Sequence, residues 1–304
     1  MGFVDGPVRV RVPATCANLG PGFDALGLAL GLYDDVRGQV SDGGLLVDVE
    51  GEGSENVPRD ESHLLVRAMW SAFDAMAVAP PGLAIACVNR IPHGRGLGSS
   101  AAAIVAGVLL ARALVDDGPE ILDDAGVLAL ACSIEGHPDN VAPCLLGGLT
   151  IAWTTEGSAR AVRRDPDPAV VPVVLVPPFE ASTERARGLL PDQVPHVDAA
   201  FAAGRSALLV AALTGTPQAL FDATEDRLHQ RYRELAMPAA YALVTTLRSL
   251  GHPAVISGAG PTVLVLARGQ VEAEAVVPHS PQGWRVLRLP VDSHGARLVD
   301  VRNE

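Results

Sequence analysis

The chain has 304 residues, a formal net charge of −12, 48% hydrophobic and 19% charged residues, the balance of a globular protein with room for two domains. That charge argues against nucleic acid or an anionic membrane as the main partner, and 4% aromatic residues leave few stacking platforms for bases. All 23 basic residues are arginine, which excludes a Walker A lysine, the strand lysine of a protein kinase and a lysine Schiff base.

Val8 to Val12 alternates with period two and reads as a strand that Pro13 ends. The loop from Ala14 to Asp24 follows, with Asn18 and Asp24 suited to side-chain-to-backbone turn bonding. Leu26 to Leu32 and Leu45 to Val49 read as strands. Glu61 to Met76 has apolar residues at helical spacing, with Asp60 as the expected cap. Leu83 to Val88 is a strand feeding a glycine-rich run. The apolar segment from Ala101 to Ala111 is a buried helix, and Glu120 to Ile134 a further one. Glu135, His137, Asp139 and Asn140 then stand between two apolar segments; for His137 taken alone, a loop or core histidine is the ordinary reading. Leu149 to Trp153 is a strand, and the charged stretch Thr155 to Asp167 is the expected domain boundary. Beyond it come a strand from Ala169 to Val176 broken by Pro172, a helix from Thr183 capped by Ser182, and helices at 197–213, 217–222 and 238–249. A strand–glycine turn–strand follows at 254–266, and no motif is readable after it.

The four cysteines lie far apart in apolar sequence and are expected to be free and buried. The N-terminus has no basic region, and no apolar run approaches the roughly 18–20 residues of a membrane span. A cytoplasmic protein is expected.

Pro92-His93-Gly94-Arg95-Gly96-Leu97-Gly98-Ser99-Ser100-Ala101-Ala102 runs from a strand through a glycine turn into a helix N-terminus. Such a turn lets backbone N–H groups close on an anion, and the helix dipole favours it. The run also fits G-x-G-x-x-A of dinucleotide-binding folds. However, no strand ending in an acidic residue follows about 20 positions on, and several strands precede it.

The run resembles the ATP-binding loop of the GHMP kinases. Pro13 to Asp24 resembles that family's N-terminal motif, and Ser257-Gly258-Ala259-Gly260-Pro261-Thr262 its C-terminal glycine loop. Within the family, Asn18-Leu19-Gly20-Pro21-Gly22-Phe23-Asp24 and Glu135-Gly136-His137-Pro138-Asp139-Asn140 resemble the homoserine kinase branch. Ser182-Thr183-x-x-x-Arg187 and Asp226-x-x-His229-x-x-x-Arg233 do so too. One departure is His63, where the family commonly has Asn before the Leu of the adenine-side helix.

The resemblance implies an α+β, two-domain GHMP kinase fold: a left-handed β-α-β N-terminal domain over 1–160 and a ferredoxin-like C-terminal domain over 161–304. It implies ATP-dependent phosphorylation of the L-homoserine hydroxyl for threonine biosynthesis. The alternatives are another GHMP small-molecule kinase or a catalytically silent ligand sensor. The Pro92 to Ala102 run and His63 would bind ATP, and Ser100 and Glu135 would hold Mg²⁺. Asn18, Asp24, His137, Thr183, Arg187 and Arg233 would bind homoserine, the arginines gripping its carboxylate and Asp24 its ammonium. Asn140 and His137 are expected to hold the reacting end. Asn140, Asp139 and Arg187 are the expected catalytic residues, and Asp139 is the one carboxylate of its motif able to serve as a base. Family precedent implies a homodimer.

Overall fold

In the computed structural model, residues 2–300 are described; Met1 of the expected N-terminal domain and 301–304 at the end of the C-terminal one lie outside them. The first sheet collects β1 (Val8–Ala17), β2 (Leu26–Val40), β3 (Gly44–Gly51), β4 (Gly82–Asn89), β5 (Leu149–Thr155) and β6 (Ser158–Arg164). Its order is β11-β1-β2-β4-β3, with β5 pairing β2 beyond the β1 bulge and β6 pairing β5; β11 (Arg297–Val299) returns from the far end of the chain. β3 and β4 are parallel neighbours joined through α1 (Leu64–Ala75), the expected β-α-β unit. α2 (Ser99–Ala113), α3 (Gly118–Ile121), α4 (Asp124–Glu135) and α5 (Pro138–Leu146) complete this half.

Pro13 does not end β1. The ladder to β2 shifts register between Pro13 and Ala14, so the proline sits at a bulge where its missing N–H is tolerated, and the strand runs on to Ala17. Nor is Asp60 the cap of α1: His63 caps it, its Nδ1 accepting from the Leu65 N–H at 3.2 Å, while Asp60 accepts from Ser62. The helix expected over 120–134 is two helices, because Asp123 breaks out to cap α4 through the Gly126 N–H. α2 is apolar all round and lies buried between α1 and the sheet.

The second sheet is antiparallel, order β10-β7-β9-β8, built from β7 (Val170–Val176), β8 (Ala254–Ile256), β9 (Val263–Arg268) and β10 (Arg285–Arg288). Between them run α6 (Thr183–Gly188), α7 (His196–Thr214), α8 (Leu220–Ala223), α9 (Pro238–Ser249) and α10 (Gly269–Val276). Numbering these strands in chain order gives 4-1-3-2, the ferredoxin-like arrangement. Pro172 does not break β7: the Leu289 N–H donates to its carbonyl, so its donor-less side faces the end of the β10 ladder. The expected division after residue 160 falls inside β6, whose pairing with β5 continues to Arg164, and β11 belongs to the first sheet.

α7 is 19 residues long and holds an 18-residue window of mean hydropathy 1.4, enough by length and composition to cross a membrane, contrary to the expectation that no run approaches such a span. It carries Asp198 and Arg205, and buries Leu209, Ala212 and Leu213 in the core that the first sheet shares. The four cysteines are free and buried, as expected.

Candidate active site

Three loops from the two halves of the chain meet. The Thr15 N–H donates to the Leu97 carbonyl at 3.0 Å, and the Gly258 N–H to the Ala17 carbonyl at 3.1 Å. Ser257 Oγ donates to the Gly96 carbonyl at 2.6 Å. Asn18 uses both ends of its amide here: Nδ2 donates to the Gly258 carbonyl and Oδ1 accepts from the Asp24 N–H. Asn18 and Asp24 have φ of 69° and 54°, the left-handed region that short polar side chains tolerate. The turn-bonding role and the cleft-lining role of Asn18 therefore coincide.

The glycine run turns through left-handed residues at Gly94, Gly96 and Gly98 (φ 64°, 74° and 72°). A side chain at Gly96 would strike the Ser257 carbonyl, and one at Gly98 the Thr15 hydroxyl. Gly98 caps α2 with no side-chain acceptor, which leaves first-turn N–H groups for an anion. Within the run, Pro92, Leu97, Ala101 and Ala102 are buried and contribute backbone and packing. The Arg95 side chain turns away from the helix end, donating to the Pro177 and Pro178 carbonyls and pairing with Glu180.

Two cavities open on either side of this helix end, and both are lined by Ser99 and Ser100. One, of about 280 Å³, is mainly apolar, walled by Val36, Val57, Leu64, Cys87 and Ala103, with Asp34, His63 and His93 as polar points. Asp34 accepts from the Arg90 and Ile91 N–H groups, and burial pushes its carboxyl up to about 6. Burial also holds His63 and His93 below the ordinary histidine value.

The other cavity, of about 350 Å³, is polar and gathers most of the expected site: Asn18, Ser100, Glu135, His137, Asp139, Asn140, Thr183, Arg187 and Arg233. Ser100 Oγ donates to Glu135 Oε1 at 2.7 Å, and burial raises the Glu135 carboxyl. The motif after Glu135 is helical rather than a loop, so α5 starts at Pro138 with His137 as its first boundary residue. His137 Nδ1 pairs at 2.8 Å with the buried Asp139 carboxylate, which raises the imidazole pKa. Asn140 Oδ1 accepts from Thr15 Oγ1 at 2.8 Å. Asp24 and Arg187 form a two-pronged ion pair at 2.7 and 3.2 Å, and that hydrogen bonding raises the Arg187 pKa. Arg233 is 1% exposed and has no carboxylate in ion-pair reach among the described residues; burial lowers its pKa.

The family models for the GHMP kinases N terminal domain and the GHMP kinases C terminal match residues 63–148 and 205–278. A homoserine kinase of Streptomyces avermitilis is 61% identical over 297 residues, covering 98% of this chain and 97% of that protein. The chain belongs to the GHMP kinase family, in its homoserine kinase branch. A Clavibacter michiganensis homoserine kinase is 53% identical across 96% of this chain and 93% of that protein. The crystal structure of homoserine kinase from Cytophaga hutchinsonii superposes with a TM-score of 0.82 at 25% identity, covering 96% of this chain and 97% of that one. In this GHMP kinase, sequence reasoning assigned no role to Thr15, Phe23 or His229. Thr15 and Phe23 lay inside the N-terminal motif, and His229 inside the pattern that ends at Arg233.

Proposed function

We propose that this homoserine kinase carries out phosphoryl transfer at the helix end where the two cavities join, with ATP across that junction and L-homoserine in the polar one. The base would occupy the apolar cavity and the phosphates the glycine turn, where N–H groups and the α2 dipole substitute for the lysine that the chain lacks. The homoserine carboxylate would meet Arg233 and Arg187, and its ammonium Asp24. The observation that carries this placement is Arg233. A buried guanidinium that lines the polar cleft with no carboxylate in direct contact among the described residues, Asp24, Asp139 and Asp226 acting on it only from a distance, calls for a small anionic ligand.

Two hard oxygen donors, Ser100 Oγ and Glu135 Oε1, lie together at the helix end, and no cluster of three or more His, Cys, Asp or Glu suited to a metal occurs among the described residues. That donor set fits Mg²⁺, which keeps waters and takes few protein ligands. Bound there with ATP, Mg²⁺ would neutralise charge on the phosphates. The chain's own residues orient the reactants. In the reaction the homoserine hydroxyl oxygen bonds to the γ-phosphorus while the bond to the β-phosphate oxygen breaks, and the hydroxyl proton is released. Asn140, fixed by Thr15, and His137, fixed by Asp139, would align that hydroxyl. A homodimer and a cytoplasmic location are proposed on the family resemblance alone.

An ADP-release assay over homoserine, mevalonate, shikimate and galactose tests the assignment. Homoserine should be preferred by orders of magnitude; no homoserine-dependent ADP release would overturn it.

A further inference from the structure

The two arginines of the cleft are held in opposite ways. Arg187 is compensated by the Asp24 carboxylate. Arg233, on the turn Arg231–Ala236, is held by neutral groups. Its NH1 donates to His229 Nδ1 at 3.2 Å and to the Gly258 carbonyl at 3.3 Å, and its Nε is buried without a partner.

His229 is fully buried, and its neighbours fix its tautomer. Its Nε2 lies 2.8 Å from the Gly20 carbonyl, which can only accept, so Nε2 carries the proton. A guanidinium can only donate, so Nδ1 is bare and the ring is neutral. Burial, with Arg233 adding to it, holds the imidazole below the ordinary histidine pKa, against the pull of Asp226. Asp226 accepts from the Leu228, His229 and Gln230 N–H groups, which sets the turn that presents the ring. Phe23 stacks on the imidazole at 4.9 Å and lies 5.2 Å under the Arg233 guanidinium. Gly20 and Phe23 both belong to the N-terminal motif.

We propose that His229 is the positioning residue for Arg233: its bare Nδ1, locked by Gly20 and Phe23, holds NH1 so that the rest of the guanidinium serves the substrate carboxylate. This rests on the homoserine reading of the cleft. A carboxylate in the place of His229 would hold Arg233 equally well but cancel its charge. A neutral acceptor fixes orientation and leaves the positive charge for the ligand.

The test compares wild type, His229→Gln and His229→Asn in steady-state kinetics with homoserine and with 2-amino-1,4-butanediol, which lacks the carboxylate. Gln keeps a donor toward Gly20 but loses the Nδ1 acceptor; Asn keeps an acceptor near Nδ1. His229→Gln should raise homoserine KM about tenfold or more, leave ATP KM within about twofold, and compress the preference for homoserine over the diol. His229→Asn should retain most of that preference. Wild type that does not phosphorylate homoserine would overturn the functional reading and this inference together. Wild type that does, with His229→Gln unchanged in homoserine KM or equally impaired for ATP and the diol, would overturn the inference alone. Should His229→Gln not fold, His229→Asn decides: a preference as lost as in Arg233→Ala counts against the inference, and a retained one supports it.

Discussion

Asp24 and Arg187, 163 residues apart in the chain, close on each other at the edge of the polar cleft that Arg187 lines, with both terminal guanidinium nitrogens on one carboxylate. The pair joins the N-terminal motif to α6, one from each half of the molecule. Both side chains remain more than a third exposed, at 38% and 36%, so solvent weakens the pair and a zwitterionic ligand can exchange into it.

Replacing either partner should therefore act on homoserine binding. Arg187→Lys keeps the charge and loses the fork, and Asp24→Asn keeps the shape and loses the charge. Each should weaken homoserine binding by about 1–3 kcal/mol, the worth of a charged hydrogen bond. Homoserine and ATP KM values measured side by side check this. Equal losses for both ligands would show that the pair holds the domains together rather than the substrate.

Glu135 gives a stability prediction opposite in sign to its effect on activity. Burial holds its carboxyl above the ordinary 4.5. Its favourable contribution to folding is complete below that unfolded value and is lost as pH rises through the raised folded one. Without Mg²⁺ at pH 7, the ionised group works against the fold. Glu135→Gln should then have a Tm equal to or above wild type at pH 7, the difference closing below about pH 4.5, while kcat falls by about 10²-fold or more. A Tm clearly below wild type would mark Glu135 as a structural residue.

His137 titrates the other end of the site. Hydrogen bonding to Asp139 raises its pKa above 6.5, so the stabilisation is complete below 6.5 and disappears as pH climbs through the folded value. Asp139→Asn should flatten the Tm-against-pH curve above 6.5. Its turnover should stay within about tenfold of wild type if positioning supplies most of the rate. A drop nearer 10³-fold, within the range for a lost general base, with the acidic limb of the pH–rate profile gone, would make Asp139 the base.

The sequence by itself determined the chemistry-bearing motifs. Glycines at 94, 96 and 98, a polar quartet from Glu135 to Asn140 and arginines at 187 and 233 are legible because left-handed turns, cation ligands and carboxylate grips each demand particular residue types. Strand alternation and helical spacing also located most elements, since those periods are local. What local pattern could not show was pairing. Pro13 reads as the end of its strand and Pro172 as a break within one, yet a bulge and the end of a neighbouring ladder absorb them. The membership of β6 and β11 in the first sheet depends on partners far along the chain. Only the tertiary structure decided that Asp24 faces Arg187, that Thr15 fixes Asn140, and that His229 holds Arg233 without neutralising it. The first two are contacts between segments 163 and 125 residues apart, which no spacing along the chain encodes. His229 and Arg233 are four residues apart, but the Gly20 carbonyl and Phe23 ring that fix the histidine come from the far end of the chain.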